Sequence, residues 1–183
     1  MTKFSLIVWS LLAGPILAPA YAQVPVTYLA EGRALFTVEA PDFWTVRTGG
    51  VRSLSDERLG GEGTVPRVLG LQPTAEPGVF LGFMSPDGVS TLQEAQDYVA
   101  DLGRFVVEEP VVTQSRTGRI AGRRAESFSG TGRRDGAGLS FTVALIELPG
   151  SRVAIGLAVF ENGVDPDFGQ AVSDIFGTFR LGR

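Results

Sequence analysis

The chain has 183 residues, a formal net charge of −4, and neither histidine nor cysteine. Those absences exclude a Ser-His-Asp triad, a cysteine nucleophile, disulfides and the ordinary zinc and copper donor sets. Lys3 is the only lysine, so the rest of the chain lacks Schiff-base chemistry and a Ser-Lys dyad, and its acidic balance speaks against nucleic acid as the default partner.

Met1 to Ala22 has one cation (Lys3), an apolar run from Phe4 to Ala13, Gly14-Pro15, and small residues at Ala20 and Ala22. This is the layout of a secretory signal peptide of bacterial style, with cleavage expected before Gln23. The run is shorter than the ~20 residues of a membrane span. The expected product is a periplasmic or secreted single α+β domain, residues 23–183. It carries 15 arginines, the 16 cations less Lys3, against 20 acidic residues, a net charge of −5. A chain of this size buries enough surface to fold without disulfides.

In chain order, Gln23 to Gly32 reads as a short lead-in. Ala34–Glu39 and Phe43–Arg47 read as two strands of a hairpin around Pro41-Asp42. Trp44 at its corner is either a core plug or a ligand platform, and the former is preferred because buried aromatics dominate core energetics. The Gly-rich stretch at about 49–66 is expected to be a long mobile loop or hairpin tip. Its Gly60-Gly61-Glu62-Gly63 lacks the spacing of a nucleotide-binding fingerprint. Arg67–Leu71 and Val79–Met84 are strands.

A helix is expected over about 90–106, with Ser90 as N-cap and Gln93 at N3. Leu92, Ala95, Tyr98, Val99, Leu102, Phe105 and Val106 form its apolar face, and the helix stops early at Gly103 or at the latest before Pro110. Val111–Arg116 and Ile120–Gly130 read as two more strands, and Thr131–Gly138 as a polar turn. Leu139–Phe160 has one bulky alternate set (Phe141, Val143, Leu145, Val153, Ile155, Leu157, Val159) and one mostly small set, the mark of two strands covered on both faces. Facing bulky residues against each other requires paired positions that sum to 300. The Pro149-Gly150 connection must then hold an odd number of residues, three or five. A second helix is expected over about 166–176, capped by Asp165 with Pro166 at N1, and Thr178–Leu181 forms a terminal strand.

Strands in meanders with two helices give an α+β fold, a layered α/β/α sandwich with a largely antiparallel sheet. Four stretches carry a resemblance: Phe36-Thr37-Val38-Glu39-Ala40-Pro41-Asp42-Phe43-Trp44, Thr91-Leu92-Gln93-Glu94-Ala95, Arg119-Ile120-Ala121-Gly122-Arg123-Arg124-Ala125 and Ile175-Phe176-Gly177-Thr178-Phe179. Their order resembles the PsbP/Mog/DcrB-like superfamily over about Ala34 to Leu181. The resemblance implies an α/β/α sandwich. The superfamily includes a photosystem II accessory subunit, a Ran-binding protein and exported envelope proteins, so it implies a fold more than a function.

Arg116, Arg119, Arg123, Arg124, Arg133 and Arg134 are the densest charge feature. On two neighbouring strands they form either a patch for carboxylates or phosphates or a charged edge that resists aggregation. Asn162, Asp165 and Asp167 lack the spacing of a calcium loop, and Glu108-Glu109, being adjacent on an extended segment, point apart. No metal or cofactor is expected. The favoured reading is a non-catalytic exported binding or accessory protein of the envelope, partnered by a protein or an anionic ligand. The alternative is a carboxylate-dependent hydrolase of envelope material. A deep cleft with converging carboxylates favours the enzyme, and a shallow apolar or basic surface favours the binder.

Overall fold

The computed structural model describes residues 22–50, 52–56, 61–65, 67–103 and 105–182. The expected leader lies outside them except for Ala22. In chain order the elements are β1 (Gln23–Ala30), β2 (Arg33–Pro41), β3 (Trp44–Thr48), β4 (Arg52–Asp56), β5 (Gly61–Val65), β6 (Leu69–Pro73), β7 (Val79–Met84), α1 (Leu92–Gly103), β8 (Glu108–Ile120), β9 (Arg123–Arg134), β10 (Ala137–Leu148), β11 (Arg152–Glu161), α2 (Asp167–Gly177) and β12 (Arg180–Leu181). A seven-stranded sheet in the order β3-β6-β7-β11-β10-β9-β8 forms the middle layer, and its pairings are antiparallel. One face carries α1; the other carries α2 and a three-stranded sheet, β1-β2-β12. The protein is an α+β layered sandwich.

The pair β10–β11 sits near the centre, and its register is the expected one: Phe141 faces Val159, Val143 faces Leu157 and Leu145 faces Ile155. Leu148 pairs with Arg152, leaving the three-residue loop Pro149-Gly150-Ser151. Gly150 (φ 75°) and Ser151 (φ 53°) take the left-handed conformation that turns the chain. The bulky set packs under α1 with Leu92 and Ala95. On the small face, Ala154 and Ala158 lie beneath Val172 and Ile175 of α2. Burying each of the bulky side chains contributes about 1.5–3 kcal/mol.

The hairpin expected from Ala34–Glu39 and Phe43–Arg47 does not form. The lead-in is itself a strand, β1, joined to β2 by Glu31-Gly32. With β1 on one edge of β2 and β12 on the other, β2 has no edge left for β3. The chain therefore turns at Asp42-Phe43 into the seven-stranded sheet, where β3 pairs with β6. Trp44 is buried at that corner, in one cluster with Phe36 and Val38.

Within the stretch expected as a loop, 49–66, β4 and β5 pair as a two-stranded antiparallel ribbon; residues 57–60 lie outside the described residues. The first helix is shorter than 90–106, because Gly103 ends it. The next strand runs unbroken through Gly118 and turns at Ala121-Gly122, so Ile120 closes β8 instead of opening the following strand. Asp135-Gly136 likewise replaces the broad turn expected over Thr131–Gly138. Two-residue loops need only a pair of left-handed residues, so the strands extend further than composition suggests.

Candidate functional site

The helix α1, about 18 Å long at 1.5 Å per residue, packs on β10 and β11 and leaves an apolar groove along its side that faces β9 and β8. The groove floor is set by the register. Met84, Ile155 and Leu145 form one row, Leu157, Val143 and Phe128 the next, and Phe141 and Val112, either side of Gly130, the third. Val99, Ala100 and Leu102 of α1 form the wall, and among the described lining residues Gln96 is the only side chain with a polar end. Its volume is about 280 Å³, close to the lower end of small-ligand sites. Gly130 is required here, because a Cβ would collide with the Val111 carbonyl and push β8 away from β9.

Val112 at the groove rim is 57% exposed, and Val111, on the opposite face of β8, is 58% exposed. Every residue of β8 from Glu108 to Arg119 is exposed. Among the described residues β8 is the last strand of the sheet, paired with β9 on one side and with no strand on the other.

The structure divides the six arginines. Arg116 and Arg119 on β8 and Arg123 and Arg124 on β9 surround the Ala121-Gly122 turn. Arg133 and Arg134 lie at the other end of β9, ten residues away, about 33 Å at 3.3 Å per residue. The six therefore do not form one patch. Arg134 is engaged by Glu161 at 2.8 Å, and Arg133 donates to the Gly136 carbonyl. At the other end, Arg119 stands directly opposite Arg124 and donates to the Gly122 carbonyl at 2.9 Å, while Arg124 reaches Glu126 at 3.2 Å. Register places Arg119 and Arg124 on the groove face with Phe128, and Arg116 and Arg123 on the reverse face with Ala125.

A polar cleft, not anticipated from the sequence, lies where the β1–β2 turn meets the end of β7. Tyr28 is buried; its hydroxyl donates to the Arg67 carbonyl at 2.9 Å and accepts from the Ser85 amide at 3.2 Å. Burial is the main reason its pKa is raised, against the lowering effects of the Ser85 amide, Arg152 and Arg67. Arg152, largely buried, reaches both Asp87 and Glu31 and so clasps the β1–β2 turn to the segment after β7. The two carboxylates are thus held by one guanidinium.

The capping and metal candidates resolve locally. Asp165 accepts from the Asp167 amide at 2.9 Å and caps α2, with Pro166 in helical conformation. Among the described residues no group of three or more acidic side chains is placed to hold a metal ion.

No family model and no curated protein sequence matches the chain. Among solved structures, it is similar to cyanobacterial PsbP (CyanoP) from Synechocystis sp. PCC 6803, with a TM-score of 0.54 and 12% identity over 93% of this chain and 98% of that one. It is also similar to the Ran-binding protein Mog1p of Saccharomyces cerevisiae, with a TM-score of 0.51 and 13% identity over 88% and 96%. The chain has the PsbP/Mog/DcrB-like fold. At such identities the likeness concerns the fold, and function has to be argued from the groove, the edge strand and the cleft.

Proposed function

We propose that the protein is an exported, non-catalytic binding or accessory module of the bacterial envelope, acting through contacts with another protein or an anionic ligand. The observation that carries this reading is the groove beside α1. It is apolar, no carboxylate lines it among the described residues, and it is continuous with the exposed Val112 on an edge that no described strand covers. Apolar surface beside unpaired strand backbone is suited to holding a partner. Acid–base hydrolysis of a glycoside needs two carboxyls facing one substrate, whereas Glu31 and Asp87 are both tied to Arg152. A Ran-binding protein shares this fold, so the scaffold is compatible with a binding role. The Met1–Ala22 segment supports export, with a mature chain beginning at Gln23.

The test is photocrosslinking in the native host with a reactive residue at position 112, or at position 27 on the remote three-stranded sheet as control. A discrete envelope partner captured from position 112 alone, by protein recovered from the periplasm with Gln23 at its N-terminus, is the expected result. Equal capture from both positions counts against the groove. Hydrolysis of envelope polymer that disappears in the Glu31→Gln, Asp87→Asn variant would replace this reading with the enzyme.

A further inference from the structure

We propose that the free edge of β8 accepts an extended acidic segment of a partner protein as an added antiparallel strand. An apolar side chain of that segment enters the groove beside Val112, and its carboxylates meet Arg119 and Arg124. The inference rests on the binding-module reading and names the partner's chemistry and its mode of docking.

An edge strand presents a row of backbone donors and acceptors that a further strand can pair, and proteins ordinarily blunt such edges. In β8 the backbone is blunted only in the first half, and the second half carries charge alone, Arg116 and Arg119, which repels a basic edge and admits an acidic strand. Pro110 lacks an amide hydrogen, and the register with β9 breaks between Glu108 and Val111 and again between Val112 and Gln114. From Gln114 to Ile120 the pairing is regular, and no described strand occupies the outer side. That is a rail of seven residues, a normal strand length.

The rail also has a direction. Val112 faces Gly130, Ser115 faces Phe128 and Arg119 faces Arg124. One face therefore runs from the apolar rim to a pair of arginines, about 23 Å over seven residues. Like charges directly opposite each other destabilise a sheet, and Arg119 makes its hydrogen bond to a neutral carbonyl. Glu126 already offsets Arg124 at 3.2 Å, so an incoming carboxylate completes the neutralisation of the pair at Arg119. Arg116 and Arg123 repeat the positive charge on the reverse face, where the Arg123 Nε is buried without a hydrogen-bond partner. Alternate side chains of an added strand point to both faces, so acidic residues there meet arginine on either side. Antiparallel addition matches every other pairing in the sheet and is the more stable per residue. The segment thus carries its acidic residues towards its N-terminus and its apolar anchor towards its C-terminus. Phosphate polymers and anionic membranes share the charge but use neither the backbone rail nor the groove.

The probe is a synthetic Thr/Val peptide of about ten residues, with two glutamates near its N-terminus and two leucines near its C-terminus, titrated into the purified protein by NMR. Three controls accompany it: the same peptide N-methylated at alternate amides, its reversed sequence, and its Glu→Lys version. The expected result is amide shifts and exchange protection at residues 114–120, with each control binding at least about 10-fold more weakly, a 1.4 kcal/mol effect. The double change Arg119→Glu, Arg124→Glu should lower affinity by a similar factor with the amide spectrum still that of the folded protein, and should restore binding of the Glu→Lys peptide.

Equal binding of the N-methylated peptide overturns strand addition. So does equal binding, at the same residues, of a heparin fragment or of anionic phosphatidylglycerol vesicles. A dimer in light scattering that Val112→Asp dissolves assigns the edge to a second copy and overturns the proposal too. If no peptide binds while position 112 still captures a partner that contacts only the groove, strand addition falls and the binding module stands. If position 112 also captures nothing, both fall.

Discussion

The ring of Phe176 on α2 lies directly over Gly156 on β11. A Cβ at position 156 would come within 2.6 Å of the Phe176 Cε1 and 3.1 Å of the Phe83 Cε1. Phe83 and Phe176 meet edge to face with centroids 5.3 Å apart, so the ring cannot withdraw without losing that contact. Overpacking a core by one methyl group costs about 1–3 kcal/mol, which exceeds the strand preference for alanine over glycine. Gly156→Ala is expected to destabilise the protein by that amount in urea denaturation, and by less in a Phe176→Leu background. A Gly156→Ala protein as stable as the parent would show that α2 is not seated on this contact.

Tyr28 supplies a dependence on alkaline pH. Its pKa is raised above the ordinary 10.0, chiefly by burial. A group whose folded pKa is raised contributes stability that is intact below its unfolded value and is lost as pH climbs through the folded one. Stability should therefore fall above pH 10. Tyr28→Phe should flatten that fall, leaving the share from Tyr98, which burial also raises. At neutral pH the same change leaves the Ser85 amide without its acceptor, at a cost of about 1–3 kcal/mol. Denaturation midpoints at pH 7, 9 and 11 for parent and variant test both effects, and parallel curves would refute the assignment to Tyr28.

The start of α1 carries the acid-side counterpart. Thr91 Oγ1 accepts from the Glu94 amide at 3.1 Å, and the Glu94 carboxylate accepts from the amides of Ser90 and Thr91 and from the Ser90 hydroxyl. The Ser90 amide is the main reason the Glu94 pKa lies below the ordinary 4.5. Stability from this carboxylate is present above that ordinary value and is lost as pH falls through the lowered one. Glu94→Gln should reduce the acid-side slope of stability. Thr91→Ala, which removes a cap, should cost about 1 kcal/mol at pH 7. An unchanged acid slope in Glu94→Gln, read by thermal melts between pH 3 and 7, would count against the box.

That box also shows where local reading slips by one position. Ser90 and Gln93 have the spacing of a capping box, yet the pair in use is Thr91 and Glu94, and Gln93 bonds Asp97 instead. Both pairs satisfy the same rule, and only the point where β7 delivers the chain onto the sheet decides between them. The arginines illustrate the limit at the candidate site. Their residue type and strand placement are legible, but a 12-residue strand carries Arg124 and Arg134 to opposite ends. Val111-Val112 beside Pro110 is the one local hint of the groove, whose other walls come from β7, α1, β9, β10 and β11. The Tyr28 cleft leaves no local signal at all, since Tyr28, Ser85 and Arg152 are remote in the chain.

What the sequence by itself determined is whatever depends on short-range periodicity: the alternation of Phe141, Val143 and Leu145, the odd loop at Pro149-Gly150-Ser151, the α2 stripe, and the chemistries ruled out by missing histidine and cysteine. The tertiary structure alone decided which edges were already taken. Because β1 and β12 occupy both sides of β2, the expected hairpin with β3 is broken. Because β8 ends the seven-stranded sheet, its backbone and its arginines face outward. A strand's pairing capacity is two edges and no more, and how they are filled is a property of the whole chain.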